Sequence, residues 1–231
     1  MEKLIYLLWK NPEQSVPAWR EQLRGPLGAQ LLEAGALSLQ CNLVDEHVAT
    51  GEGLRIITWP PPDGFVMFWM HSANFRERCE TLLRHHHARI AGYLVTESCV
   101  LPGTDRRAEG ERSQGFSLIG FLQRPQRLTE AEWHRIWLGS HTQVAVDTQS
   151  SFRYVQNVVT RKLTDDAPAL GALVEEGFPT AALASPHAFY DAAGDEAKYQ
   201  HHLQQMMDSC RRFIDFDELN SFPSSEYLVK A

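Results

Sequence analysis

The sequence has few cysteines, and they are not arranged as a disulfide framework or a zinc site requires. Its four cysteines, Cys41, Cys79, Cys99 and Cys210, are scattered along the chain without any CxxC spacing. Dense cysteines are typical of small secreted domains, and closely spaced pairs are typical of structural zinc sites. We therefore expect free thiols in a reducing compartment, with the cytoplasm as the predicted location.

Long hydrophobic runs are also missing. The apolar stretch at the N-terminus, residues 4–9, contains only six residues before Lys10 and Asn11. That is too short for the core of a signal peptide or for a membrane span. We interpret it as a first β-strand and expect no membrane partner.

The chain lacks an excess of basic residues and the common catalytic motifs. Its formal net charge is -7 with both signs interspersed, which argues against a nucleic-acid partner. No glycine-rich phosphate loop, HExxH, GxSxG or CxxCH motif occurs, so nucleotide, zinc-protease, esterase and covalent-haem sites are not indicated. Histidines adjoin at 85–87 and 201–202, but neighbouring helical residues point about 100° apart and cannot chelate one ion together. No metal site is predicted.

The sequence does contain an internal repeat at an offset of 114 residues. The matching residues are Leu4, Ile5, Leu8, Trp19 and Gly25 against Leu118, Ile119, Leu122, Trp133 and Gly139. A later echo, Tyr93-Leu94-Val95 against Tyr227-Leu228-Val229, lies at offset 134 and implies an insertion in the second half. We place that insertion at Leu163 to Phe178, which is rich in Asp, Ala, Gly and Pro. Repeats of this kind predict two related units.

The polar residues 103–114 have no hydrophobic period and are interpreted as a solvated linker between units 1–102 and 115–231. Each unit is predicted to be α+β with the ferredoxin-like order β-α-β-β-α-β. The first has strands at 3–9, 37–44, 65–70 and 91–101, with helices after Ser15 and Ser72. The second has strands at 116–123, 152–162, 180–184 and 226–230, with helices at 129–146 and 186–210, the latter interrupted near Gly194. Two such antiparallel sheets packed face to face would bury both bare faces and form an α/β barrel.

The second unit carries an aromatic stripe that ends in a histidine. Helical geometry puts Trp133, Trp137, Ser140, His141 and Val144 within roughly a 100° arc facing the sheet. A histidine in such an apolar place is expected to have a lowered pKa and to stay neutral as a base. The first-half equivalent is Leu27, so the pocket is predicted in the second half. The alternative is a core histidine satisfied by one backbone carbonyl.

The strand at 152–162 carries two polar candidates on opposite faces. Because side chains alternate, Tyr154 and Asn157 cannot both line one cavity without a bulge. Tyr154 either donates a hydrogen bond to a substrate oxygen or packs with its hydroxyl on a backbone group. His187 and Tyr190 follow the predicted short strand, where a ligand between helix and sheet would emerge, and Pro186 opens a helix there.

The residues Trp137-Leu138-Gly139-Ser140-His141, followed by Arg153-Tyr154-Val155-Gln156-Asn157, resemble the EthD domain of the dimeric α/β-barrel superfamily. The second unit resembles it through Phe213-Ile214-Asp215, and the first only in outline. The resemblance implies a cavity between sheet and helices, with His141, Tyr154 and Asn157 as functional residues. Relatives in the superfamily act as small monooxygenases, lactone isomerases, polyketide cyclases and haem-handling enzymes. Pro26 and Leu27 replace Ser140 and His141 in the first unit, which implies a structural partner half.

Three functions follow as hypotheses. The first is an enzyme without a cofactor, an oxidoreductase of monooxygenase type or an isomerase, acting on a small hydrophobic or aromatic, oxygenated substrate. His141 would transfer the proton, Tyr154 or Asn157 would orient an oxygen, and Trp133, Trp137, His187 and Tyr190 would contact the substrate. The second is a non-catalytic ligand-binding or accessory protein. The third is a haem protein with His141 and His187 as candidate ligands; pairing as a homodimer stays open in all three.

Overall fold

Eight antiparallel strands form a closed barrel in the computed structural model, which describes residues 1–103 and 108–231. The strands are β1 (Glu2–Lys10), β2 (Ser38–Leu43), β3 (Gly64–Met70), β4 (His87–Pro102), β5 (Phe116–Leu122), β6 (Arg153–Lys162), β7 (Ala172–Phe178) and β8 (Asn220–Lys230). Their order around the barrel is β1-β3-β2-β8-β5-β7-β6-β4. The predicted mixed α/β barrel is confirmed in this form.

The barrel is closed by strand pairing between the two halves of the chain. The first half supplies the run β4-β1-β3-β2 and the second half the run β8-β5-β7-β6. The halves join where β2 pairs with β8 and where β4 pairs with β6. The two sheets therefore meet edge to edge instead of stacking as predicted, because edge pairing satisfies the backbone groups that an open sheet leaves free.

Helices cover the outside of the barrel. They are α1 (Val16–Arg24), α2 (Pro26–Glu33), α3 (Glu77–His86), α4 (Glu130–Ile136), α5 (Thr142–Thr148), α6 (Pro186–Phe189) and α7 (Glu196–Cys210). The predicted capping box is confirmed, since Thr129 and Glu132 exchange side-chain and backbone hydrogen bonds at the start of α4. Between α4 and α5 the chain makes a π-helical turn, Trp137–His141. None of the described helices is long and apolar enough to cross a membrane.

Three predictions about the strands of the second half are wrong. The strand predicted at 180–184 is a 3-10 helix, Thr180–Leu183, and the third strand is β7 at Ala172–Phe178, inside the supposed insertion. β8 begins at Asn220, not at residue 226. Strand register also contradicts the echo at offset 134. Gly92 pairs with Tyr6, and Ser221 pairs with Gly120, the repeat equivalent of Tyr6. The counterpart of Tyr93 is therefore Phe222 and not Tyr227. The additional chain of the second half lies between β7 and β8.

The interior of the barrel is filled. One part is apolar and contains Ile5, Phe65, Phe121 and Phe222. Another part is a buried charged network of Lys3, Arg153, Glu175 and Glu226, in which Lys3 also pairs with the exposed Glu97. Lys3 Nζ lies 2.6 Å from Glu175 Oε1, and Arg153 Nη2 lies 2.8 Å from Glu175 Oε2. Burial on its own raises the pKa of Glu175, but Lys3 and Arg153 outweigh it and hold that pKa at about 2.

The described part of the predicted linker runs along β8. The backbone N–H of Gly110 donates to the carbonyl of Leu228 at 2.7 Å, and that of Ser113 donates to the carbonyl of Glu226 at 2.8 Å. β5 pairs with residues 220–224 of β8 only, so these contacts satisfy the neighbouring edge. The segment is therefore not fully solvated as predicted; residues 104–107 lie outside the described residues.

Candidate active site

The aromatic stripe of the second half is displaced from the predicted one by the π-helical turn. Trp133, Trp137 and His141 are buried, whereas Ser140 is exposed. The N–H of Thr142 donates to the carbonyl of Trp137, five residues back. On an α-helix, residues four positions apart differ in direction by about 40°, so a stripe at this spacing winds around the helix. The wider π-helical turn reduces this difference, and the buried residues keep facing the barrel. Turns of this kind are frequent at functional sites.

His141 is held by α7 and by the segment that follows it. Its Nδ1 lies 3.0 Å from Ser209 Oγ, and its ring centroid lies 4.5 Å from that of Phe213. Burial, with a smaller contribution from the charge of Arg212, lowers the pKa of His141 to about 4. The imidazole is therefore neutral at pH 7, and its partner is a hydroxyl instead of the backbone carbonyl that the alternative interpretation named.

A partly open cavity of about 180 Å³ lies between these helices and the outer face of β5, β6 and β7. Its walls are formed by apolar and aromatic side chains with a few polar groups. The lining includes Gly120, Trp137, His141, Gln149, Tyr154, Glu176, Phe189, Tyr190, Met206, Cys210 and Phe213. No lysine or arginine of the described chain lines it. Such a cavity suits a small, neutral, largely apolar ligand.

Glu176 is the residue of this cavity that the sequence interpretation missed. Its carboxyl makes no hydrogen bond or ion pair with any described residue, and burial raises its pKa to about 8. The neighbouring Glu175 points into the barrel instead, as alternation in a strand requires. The signal was present in the run Ala172-Leu173-Val174-Glu175-Glu176, where two adjacent acids interrupt an apolar strand. It went unused because the strand was predicted at 180–184.

One further polar atom on the cavity lining lacks a partner. Gln149 Oε1 is buried and makes no hydrogen bond within the described chain, whereas the side chain of Trp137 bonds to Tyr154. Buried polar atoms are nearly always hydrogen-bonded, so each unsatisfied one calls for an explanation. Tyr154 and Tyr190 also line the cavity, and burial raises the pKa of both phenols. The cavity therefore combines unpaired polar groups, Gln149 Oε1 and the Glu176 carboxyl, with an apolar wall, as a ligand site does.

The structure brings together only some of the predicted site residues. Trp137, His141, Tyr154 and Tyr190 line the cavity. Trp133 packs behind Trp137 and donates its Nε1 hydrogen to the carbonyl of Phe213 at 3.0 Å. These residues surround one site, with Trp133 supporting it from behind.

The other two predicted residues lie elsewhere. Asn157 faces the barrel interior, where its Nδ2 donates to Glu175 Oε1 at 2.9 Å. His187 is outside the cavity lining, 2.8 Å from Glu196 and stacked on Tyr199. His141 and His187 therefore do not converge on one group. Within residues 1–103 and 108–231, no three His, Cys, Asp or Glu side chains cluster as a metal site requires.

Comparison with solved structures gives similarities of fold at low sequence identity. An anthrone oxidase-like protein matches with a TM-score of 0.51 and 11% identity, over 99% of this chain and 92% of that chain. A candidate monooxygenase from Lactobacillus acidophilus NCFM gives a TM-score of 0.46 at 8% identity, over 99% and 94%. One from Fusobacterium nucleatum subsp. nucleatum gives 0.49 at 7%, over 99% and 92%. No family model matches the chain, and no curated protein matches it either. The first likeness establishes the barrel fold; membership of the EthD family is not confirmed.

Proposed function

We propose that the cavity binds a small, neutral, oxygenated substrate and that Glu176 removes a proton from it. The observation that supports this proposal is the Glu176 carboxyl, which faces an apolar cavity without a partner among the described residues. With a pKa of about 8, this carboxyl can take up and release a proton near neutral pH. General acid–base catalysis needs a group of this kind, and strongly perturbed acids in clefts are candidates for it.

His141 and Tyr154 act on the substrate oxygen in this proposal. A neutral imidazole and a buried phenol can both donate hydrogen bonds to an oxygen on which negative charge develops. Trp137 and Tyr190 contribute the aromatic wall. The proton-accepting role therefore passes from His141 to Glu176, because a histidine with a pKa of about 4 is a weak base.

Removal of a C–H proton next to a carbonyl gives an enolate, from which two reactions lead on. If the enolate is conjugated with a further double bond, return of the proton to a different carbon isomerises the substrate. Reaction with one dioxygen converts a CH2 group into a carbonyl, with one oxygen atom retained and the other released as water, and requires no external reductant. Since an anthrone oxidase-like protein has a similar fold, oxidation is the first reaction to test.

We also propose that residues 1–102 and 115–231 are two ferredoxin-like units of an EthD-type protein, with chemistry confined to the second. No cofactor is needed for the reactions above. Haem does not fit, because the cavity of about 180 Å³ accommodates a single ring only. Since the strands of one chain close the barrel, the proposal needs no second copy.

The test is an incubation of the protein with a panel of small aromatic ketones and phenols in D2O and under labelled dioxygen, read by mass spectrometry. Wild type should incorporate deuterium or one labelled oxygen atom into a panel member. Glu176→Gln should bind that compound but turn it over at least about 100-fold more slowly, the usual effect of losing a general base. Glu33→Gln makes the same substitution at an exposed position of α2, away from the cavity, and should behave as wild type.

Two results would contradict the proposal. Glu176→Gln could convert the compound at the rate of wild type, which would remove the carboxyl from the mechanism. Alternatively, panel members could bind without any isotope incorporation, in which case the protein is a ligand-binding or accessory protein.

A further inference from the structure

Strand register gives each residue on the helix-facing side of β1 and β3 a counterpart on β5 and β7. The relevant pairs are Leu4 with Phe68 and Tyr6 with Val66 in the first half, and Leu118 with Glu176 and Gly120 with Val174 in the second. β1 and β5 are related by the offset of 114 residues found in the sequence. Gly120 therefore takes the position of Tyr6, and Glu176 takes the position of Phe68.

In the first half, a phenol ring fills this position. Tyr6 is fully buried and stacks on Phe68, with ring centroids 5.6 Å apart and planes 5° apart. Its hydroxyl donates to Glu80 Oε2 at 3.1 Å. Gly92 lies against the ring, where a Cβ would come within 2.4 Å of Tyr6 Cε1. The space between helices and sheet is thus closed by a phenol that the chain itself supplies.

In the second half, the same position is open. Gly120 has no side chain, and a Cβ placed on it would meet only Val174, at 3.9 Å. The cavity of about 180 Å³ borders this glycine, with Glu176 in place of the ring on which Tyr6 stacks. The cavity therefore lies at the position that the stacked rings of Tyr6 and Phe68 fill in the first half.

The size and charge of the cavity restrict what can occupy it. An engineered cavity of about 150 Å³ in another protein binds benzene, so about 180 Å³ accommodates one ring with small substituents. The described lining has no lysine or arginine to pair with an anion. Glu176 and the unpartnered Gln149 Oε1 can accept a hydrogen bond from a hydroxyl. These groups favour a neutral phenol over a carboxylate or phosphate.

We infer that the substrate of the proposed reaction presents a neutral, single phenol ring, which occupies over Gly120 the place that Tyr6 occupies in the first half. Gly120 is the residue that determines this specificity, because any large side chain there would fill the cavity. That this ligand is a substrate rests on the proposed function, but binding of the ring can be tested without turnover.

The test measures binding of p-cresol, the side chain of tyrosine, by titration calorimetry at pH 7 to wild type, Gly120→Ala and Gly120→Tyr. Wild type should bind it, and Gly120→Ala should bind it within about tenfold of wild type, since the empty cavity has room for the alanine methyl group but this group would adjoin the methyl group of p-cresol. Gly120→Tyr should bind it at least about 30-fold more weakly, because the ring would lose its buried surface. The anion 4-methylbenzoate, of similar shape, should bind wild type at least about tenfold more weakly, because the cavity offers its charge no partner.

A complementary variant is Tyr6→Gly, which should create a second p-cresol site in the first half. If this variant does not fold, the comparison of Gly120→Ala with Gly120→Tyr still decides. Equal binding of p-cresol to wild type and Gly120→Tyr would overturn the inference, and so would tight binding of 4-methylbenzoate or no binding of p-cresol at all.

The two proposals can fail separately. If p-cresol binds over Gly120 but Glu176→Gln leaves turnover unchanged, the proposed chemistry is wrong and the binding inference stands. If a compound without a phenol ring is turned over through Glu176 and p-cresol does not bind, the reverse holds.

Discussion

Replacing Glu176 by Gln removes a titratable group that burial keeps protonated and leaves a side chain of almost the same size. An ordinary glutamic acid has a pKa of 4.5, whereas burial raises that of Glu176 to about 8. Between these values the folded protein keeps a proton that the unfolded chain has released, so the free energy of unfolding falls as pH rises. Each pH unit in this window costs about 1.4 kcal/mol, which gives up to about 5 kcal/mol at pH 8 and above.

Urea unfolding of wild type and Glu176→Gln at five values between pH 5 and pH 9 measures this effect. The two proteins should differ by under about 1 kcal/mol near pH 5, and the variant should become increasingly more stable up to pH 8. Buried groups distant from the cavity titrate alike in both proteins, so their contributions cancel in the difference. A difference that does not change with pH would refute the raised pKa. A variant less stable than wild type at pH 9 would show that the carboxylate has a stabilising partner.

Three further predictions concern the reaction and the barrel. If Glu176 is the base, turnover of any substrate should rise about tenfold per pH unit below pH 8 and then level off, and a flat pH–rate profile between pH 6 and pH 9 would contradict that role. Lys3→Met leaves Glu175 buried without one of its cations and should lower the free energy of unfolding in urea by about 3–5 kcal/mol, whereas Lys230→Met, at an exposed ion pair, should cost under about 1 kcal/mol. Gly115→Ala should cost more than about 2 kcal/mol in the same assay, because its φ is +71° and a Cβ would lie 1.9 Å from the Phe178 carbonyl oxygen; Gly110→Ala has a similar φ but free space and is the matched control.

Local signals in the sequence were enough for much of the fold. The capping box at Thr129 marked the start of α4, and the repeated tryptophan, Trp19 and Trp133, marked equivalent helices that each bury this side chain. The stripe through Trp137 and His141 located the half that contains the cavity. These features depend on residues close together along the chain, which is why they could be predicted.

The features that could not be predicted depend on residues far apart along the chain. Two acids in succession are unfavourable in a buried strand unless distant cations pair with one of them, and Glu175 is paired with Lys3, 172 residues away. Likewise, the role of Gly120 in leaving the cavity open becomes visible only by comparison with Tyr6, its equivalent in the first half. The sequence alone does not show these contacts, so the residues of β7 were interpreted as an irregular insertion and Glu176 was not predicted as a site residue.

The closed barrel also has a consequence for how its two outer faces can change. When a barrel of this kind is assembled from two identical chains, every mutation appears on both faces, and a cavity on one face implies the same cavity on the other. Here one chain supplies both faces and still pairs all the junctions, β2 with β8 and β4 with β6. Each face can therefore vary independently: Tyr6 and Phe68 pack one into a rigid wall, while Gly120 and Glu176 leave the other free to acquire a ligand.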